Sequence, residues 1–228
     1  MTFEHKPPVD IKYSPLSVSY KNGDRFYEVE PGVLCPSITS VLSVNSRASI
    51  AKWKARVGEE EANKVSTKAR FRGNEVHDLC ERFVNNEEHL ITGQMPSSIE
   101  MFNVIKPKLA KYLTRVYHVE VPLYSVELGV AGRVDLIGEW MDIPAIIDFK
   151  TSAKPKKKEW ISNYFMQCAG YSVMYEEMTG IKVDHALVLI AVAGDVPKLQ
   201  AFPAPIKEWV EPLKETIKRY HNEAKEEY

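Results

Sequence analysis

No long apolar run interrupts the chain of 228 residues. The longest, residues 186–193, falls far short of the ~18 residues a membrane helix needs, so a helical membrane span is excluded. Cysteine is scarce: Cys35, Cys80 and Cys168 stand far apart and form no C-x-x-C pair. That excludes a four-cysteine zinc or iron–sulfur site. The first residues, Met1, Thr2, Phe3, Glu4, His5 and Lys6, show neither an apolar signal core nor an Arg-rich amphipathic pattern. A reduced, cytosolic protein is therefore expected. There is no repeat, no low-complexity linker, no glycine-rich phosphate loop and no G-x-S-x-G nucleophile elbow. The formal net charge is only -1, which weighs against a protein that coats nucleic acid. With 44% hydrophobic and 10% aromatic residues, the composition excludes disorder over most of the length.

The near-neutral total hides local order. Residues 150–158 hold five lysines and no acid, and residues 47–72 hold eight basic residues against three acids. Such stretches can track a phosphate backbone, although a solvated face is the simpler reading of charge alone.

Pattern along the chain divides it coarsely. The first dozen residues, with Pro7 and Pro8, read as a loose arm. Residues 17–30 read as a hairpin around Asn22-Gly23, a turn whose residues tolerate positive φ. Ser37 is a candidate cap for a helix through Val41 and Leu42. A helix-rich stretch over 49–84 is expected to break near Gly58 and Gly73, and another helix spans 97–115. Three β-like segments follow at 117–126, 131–140 and 145–151. A helix over 157–178 carries an apolar stripe of Trp160, Tyr164, Cys168, Tyr171, Tyr175 and Met178. A buried strand at 186–193, a shorter one at 198–202 and a closing helix over 206–226 complete the order. An α/β fold with a mixed central sheet flanked by helices follows, as one domain: an N-terminal arm, hairpin and helical region over 1–70 and a core over 71–228.

Strand alternation places Asp148 and Lys150 on one face and Ile147 and Phe149 on the other. On the preceding segment Arg133, Asp135 and Ile137 share a face, opposite Val134 and Leu136. If the two strands pair, Asp135 meets Asp148, and two such carboxylates repel unless a cation lies between them. A buried Asp–Lys ion pair is the bland alternative for Asp148 and Lys150. Against it stand the second aspartate, Gly132 just before it, and Thr151-Ser152 just after the lysine. His77 lies at the edge of a helical stripe of Val76, Leu79, Cys80 and Phe83, with Gly73 one turn earlier on the same face. Gln167 and Tyr171, four apart, project together from the helix that follows.

In order and spacing, Gly73-x3-His77, Glu120, Gly132-Arg133-Val134-Asp135, Ile147-Asp148-Phe149-Lys150-Thr151-Ser152 and Gln167-x3-Tyr171 resemble the PD-(D/E)XK nuclease superfamily. The likeness is to its RecB-like branch. The upstream residues 36–42, Trp53-Lys54 and the Lys-Pro-Lys run at 154–156 are similar to the mitochondrial genome maintenance exonuclease family and its phage and bacterial relatives.

The resemblance implies a restriction-endonuclease-like core and a metal-dependent DNA exonuclease acting on single strands or free ends in replication, recombination or repair. It implies Mg2+ or Mn2+ held by Asp135, Asp148, His77 and the carbonyl of Phe149. Lys150 would orient the attacking water, Gln167 and Tyr171 would support Lys150 or touch the phosphate, and Glu120, ranked below them, would bind a second metal or hold a base. A helical arch rich in Lys52, Lys54, Arg70 and Arg72 would guide the strand. Thr151, Ser152, Lys154 and Lys156 would grip its backbone. Trp53 could stack on bases, though a core anchor is its more ordinary role. The cytoplasm of a bacterium or phage-infected host is the implied location, with DNA as partner, no membrane and no protein partner inferable. A structure-selective or duplex-end endonuclease, and a non-catalytic DNA-binding module, are the alternatives on the same fold. A small-molecule enzyme with a coincidental D-x-K is the remaining one.

Overall fold

The computed structural model describes residues 2–11 and 16–226. Three short strands come first: β1 (Ser17–Lys21), β2 (Asp24–Glu30) and β3 (Val33–Pro36), in an antiparallel sheet of order β1-β2-β3. The β1–β2 turn is Asn22-Gly23, with φ of 52° and 84°, the left-handed pair that a two-residue hairpin turn demands. The short helix α1 (Ile38–Ser43) follows. Ser37 caps it, its hydroxyl accepting the Ser40 N–H at 3.1 Å.

Helices α2 (Arg47–Val57) and α3 (Glu59–Val84) meet at Gly58. The expected second break, near Gly73, is absent. A glycine costs a helix about 1 kcal/mol, and burial of Glu75, Val76, Leu79 and Cys80 immediately beyond outweighs that. No residue of α2 is buried, and in the first half of α3 only Ala62 is. At about 1.5 Å per residue α3 is some 40 Å long, and α2 and the first half of α3 bury almost nothing, while the second half of α3 packs on the sheet.

Helix α4 (Pro96–Tyr112) opens on a proline whose missing N–H costs nothing there. The Glu75 carboxylate, reaching from α3, accepts the Met95 N–H at 3.1 Å and the Ser98 hydroxyl at 2.6 Å. A buried anion thus satisfies the positive end of the helix. This helix ends three residues earlier than expected, because β4 (Leu113–Ser125) already begins at Leu113. The remaining elements are β5 (Val130–Trp140), β6 (Ile143–Ser152), α5 (Ser162–Thr179), β7 (His185–Val192), β8 (Lys198–Pro205) and α6 (Val210–Glu226). Gly180, at φ 74°, ends α5 in the left-handed conformation that glycine adopts without strain.

The large sheet has order β4-β5-β6-β7-β8, antiparallel except for the parallel β6/β7 pair. It is mixed, as the sequence predicts, and covered on both faces. Leu136, Ile147, Phe149 and Leu189 pack under α3 and α4. Ile137, Ile146, Val188 and Ile190 pack under α1, α5 and α6. Helix α5 is buried almost all round, from Phe165 through Ser172.

Three expectations need correction. The N-terminal arm is docked rather than loose: Phe3 is buried against Phe83 with ring centroids 5.1 Å apart. Asn86 clamps it, accepting the Phe3 N–H at 2.6 Å and donating to the Phe3 carbonyl at 3.0 Å; Lys12 lies outside the described residues. Trp160 is 64% exposed, because it sits in a single 3-10 turn before α5 and does not share the helix phase. Val134 joins the cluster of Ile137 rather than that of Leu136. Between the pairs Val119↔Leu136 and Val121↔Val134, Glu120 has a φ of 50°, and simple alternation fails locally.

Candidate active site

The site forms where the two central strands part. The β5/β6 ladder runs from Trp140↔Ile143 to Leu136↔Ile147 and stops. One step further would pair Asp135 with Asp148. Instead the Asp135 carboxylate Oδ2 takes the place of a ladder carbonyl and accepts the Phe149 N–H at 2.8 Å. A side chain thus satisfies a backbone group that would otherwise be orphaned by the parting. Phe149 itself points away, buried among the apolar residues under α3 and α4, while Asp148 and Lys150 share the opposite face.

Asp148 is 1% exposed. The Lys150 ammonium stands 2.5 Å from its Oδ2, but off the hydrogen-bond axis, and neither oxygen of Asp148 has a hydrogen-bond partner among the described residues. Lys150 also donates to the Phe149 carbonyl at 3.3 Å and lies over the Tyr164 ring, 5.3 Å from its centroid. Helix α3 brings His77 to the parting, its Nδ1 3.4 Å from Asp135 Oδ2. From β4 comes Glu120, in the left-handed region that a residue with a side chain seldom adopts. One ligand atom each of His77, Glu120 and Asp135 lies within 4.8 Å of the others. Asp148 is outside this group, but the charge of Asp135 raises its pKa.

Electrostatics marks the cluster as short of positive charge. Burial and the charges of Asp135 and Glu81 push the Glu120 carboxyl up to about 7, against His77 and Arg133. Burial raises Asp148 as well; Lys150 opposes it, Asp135 reinforces it, and the result is about 6. Burial would lift Asp135 too, but His77, Lys150 and the Phe149 N–H hold it below its ordinary range. For His77 burial favours the neutral ring, yet Asp135 outweighs it and the pKa is raised. Burial likewise works against the Lys150 charge, and Asp148 and Asp135 more than offset it. The ammonium keeps its proton, so Asp148 is the partner that gives up charge first. Two carboxyls lifted toward neutrality beside an unpartnered buried oxygen form an arrangement that a cation would relieve. An imidazole nitrogen with carboxylate oxygens is a donor set for a divalent cation.

On α5, Gln167 donates its amide N–H to the Tyr171 hydroxyl at 3.2 Å. Burial pushes the Tyr171 phenol well above its usual range, so it stays a neutral donor with its own proton free to point elsewhere. Gly132 makes room for it: a Cβ there would lie 2.8 Å from Tyr171 Cε1 and 3.2 Å from Ile38 Cγ2. At Gly73 a Cβ would stand an ordinary 3.7 Å from Thr151 Oγ1, so that glycine widens the cleft without being forced.

His77, Glu120, Asp135, Lys150, Tyr164, Gln167 and Tyr171 line an open cleft of about 1410 Å3, and Asp148 does not. Of the residues predicted to contact DNA, Arg70 lines it. Arg72 faces a second hollow of about 880 Å3 on the other side of α3. Lys52 and Lys54 are exposed on α2. Trp53 is half-buried and joins none of the apolar clusters, so it is no core anchor. Thr151 is half-buried at the end of β6. The Ser152 hydroxyl is used locally, donating to the Lys154 carbonyl at 2.6 Å. Lys156 is tied by its backbone to the Gln200 amide, while Lys154 is exposed. Sequence reasoning missed Tyr164 as a site residue. Its signal was present: it stands three residues before Gln167 and seven before Tyr171, one helical face.

A mixed sheet with helices on both faces, and an Asp, Asp-x-Lys constellation where its central strands part, defines a restriction-endonuclease-like α/β fold. The profile of the PD-(D/E)XK nuclease superfamily matches residues 47–227, and the chain belongs to that superfamily. Over 205 residues it is 23% identical to mitochondrial genome maintenance exonuclease 1 of Mus musculus, covering 84% of this chain and 57% of that protein. The chain thus spans a little over half the length of that curated relative. Among solved structures, a candidate exonuclease from Eubacterium rectale aligns with a TM-score of 0.47 and 13% identity, over 65% of this chain and 66% of that one. No helix among the described residues is long and apolar enough to cross a membrane.

Proposed function

We propose that this chain is an exodeoxyribonuclease, dependent on Mg2+ or Mn2+, that hydrolyses phosphodiester bonds of single-stranded DNA or frayed ends. The observation that carries this reading is the convergence of His77, Glu120 and Asp135 within 4.8 Å, beside Asp148 and Lys150, in a member of a nuclease superfamily. The preference for ends and the role in DNA replication, recombination or repair draw on the relative's name, an exonuclease of genome maintenance.

His77, Glu120 and Asp135 would hold the cation, with Asp148 and the Phe149 carbonyl at its edge. Glu120, ranked lowest from sequence, moves into the central group. When bound, the cation supplies a charge clamp for the phosphate and lowers the pKa of a coordinated water. Lys150 places a fixed positive charge beside the attacked phosphate. Tyr171, held by Gln167, offers its hydroxyl proton to a phosphate oxygen. Arg70 steers the backbone toward the cleft, with Lys52, Lys54, Arg72, Lys154 and Lys156 as a wider electrostatic field. The cytoplasm of a bacterium or of a phage-infected host is the proposed setting.

Linear and covalently circular forms of one single strand test the assignment. With Mn2+ present, the linear form is expected to be degraded and the circle left intact. Opening of the circle would make the protein an endonuclease, and survival of both strands would end the enzymatic reading.

A further inference from the structure

We infer that the β1–β2 hairpin carries a base-stacking platform for unpaired nucleotides, built on Tyr20 with Val18 and Arg25. Register places the side chains on one face. Val18 lies opposite Tyr27 and Tyr20 opposite Arg25, and directly opposed residues project to the same side. All four line the cleft that contains His77, Asp135 and Lys150. Tyr27 forms the buried floor, packed with Cys35 and Ala131, and the Arg25 guanidinium stacks over its ring at 5.2 Å. Val18 and Tyr20 are open, at 48% and 72% exposure.

This inference rests on the nuclease reading and adds to it a discrimination between paired and unpaired strands. The cleft, at about 1410 Å3, exceeds the ~300–1,000 Å3 of a typical small-ligand pocket, so it admits more than one nucleotide. Arg25, Arg70, Arg133 and Lys150 line it alongside the acids Asp78, Glu81, Glu120 and Asp135, so a backbone path past the acids finds basic partners at four points. An exposed aromatic ring beside such a path offers a face on which any base can stack. In a duplex those faces are already occupied by neighbouring bases, so the platform favours a single strand. A free phosphate would leave the open Tyr20 ring unused.

The test compares an oligothymidylate long enough to span the cleft with an abasic strand of equal phosphate number. Binding is read by fluorescence anisotropy in EDTA, so that hydrolysis plays no part. The wild-type chain is expected to prefer the base-bearing strand by about tenfold. Tyr20→Ala should erase most of that preference, and Tyr20→Trp should restore it. Unchanged circular dichroism in each variant secures the comparison. An undiminished preference in Tyr20→Ala overturns the platform. So does an undiminished preference accompanied by a change in oligomeric mass, which would make the face a contact between copies of the chain. The nuclease reading fails separately: a Tyr20-dependent preference in a wild-type chain that degrades nothing with Mn2+ leaves the platform standing and removes the enzyme.

Discussion

Replacing Lys150 by alanine is expected to lower the hydrolysis rate on linear single-stranded DNA by about a hundredfold to a thousandfold, the scale seen when one fixed charge-stabilising donor is removed from an active site. The ammonium is held by three neighbours at once: Asp148 Oδ2 at 2.5 Å, the Phe149 carbonyl at 3.3 Å and the Tyr164 ring at 5.3 Å. It also lines the cleft, so it is both positioned and accessible. Loss of the lysine leaves Asp148 buried beside Asp135 without its counter-charge. Breaking a buried pair from one side typically costs about 3–5 kcal/mol. Asp148 has an escape, because its carboxyl already titrates at about 6 and can take a proton instead. The variant should therefore fold, with a lower melting temperature that Mn2+ largely restores. Lys150→Arg is not expected to rescue the rate, since a planar fork does not replace a compact ammonium at a crowded site. Steady-state kinetics with a parallel thermal melt checks both halves. Full activity in Lys150→Ala would sink the site assignment.

Mn2+ itself is expected to stabilise the wild-type chain. A ligand that binds only the folded state at a hundred times its dissociation constant adds about 2.7 kcal/mol. For a chain of this length that is roughly 5–10 °C in melting temperature, at about 2–4 °C per kcal/mol. Asp135→Ala should abolish the shift, because Asp135 joins the cation group to the splayed backbone at Phe149. The sign of the pH dependence follows from Glu120 at about 7 and Asp148 at about 6. Both folded-state values lie above the ordinary carboxylate range, so between that range and about 7 the folded, metal-free chain binds more protons than the unfolded one. Without a cation, these two groups make stability fall as pH rises through that window. Cation uptake must displace those protons. Addition of Mn2+ should release more protons near pH 6, where Glu120, Asp148 and the raised His77 all carry them, than near pH 8, with affinity rising between. Titration in weakly buffered solution reads this directly, and equal release at both values would remove the two carboxyls from the site.

The parts of the fold that were legible in the sequence rest on local chemistry. Asn22-Gly23 needs nothing beyond its own φ preference to make the hairpin turn, and Ser37 caps α1 through a neighbour three residues away. Asp148 and Lys150 share a face because alternation is a property of any strand. What was not legible depends on distant partners. Gly73 lies in an unbroken helix because residues beyond it are buried by the sheet. Phe3 docks because Phe83 and Asn86 meet it from across the chain. Glu120, named from the resemblance, meets His77 and Asp135 through a left-handed backbone position in β4 that its neighbours, Val119 and Val121, do nothing to announce. Trp53 misled in the other direction: a large aromatic ring normally finds a core, but α2 has no buried residue to offer one.

The most direct measurement takes one preparation stripped of metal and follows an end-labelled linear single strand before and after Mn2+ is added. No cleavage in the stripped protein, prompt cleavage on addition and loss again with EDTA is the expected result. Full cleavage in the stripped protein, or none with either Mn2+ or Mg2+, would contradict a cation-dependent phosphodiesterase at His77, Glu120, Asp135, Asp148 and Lys150.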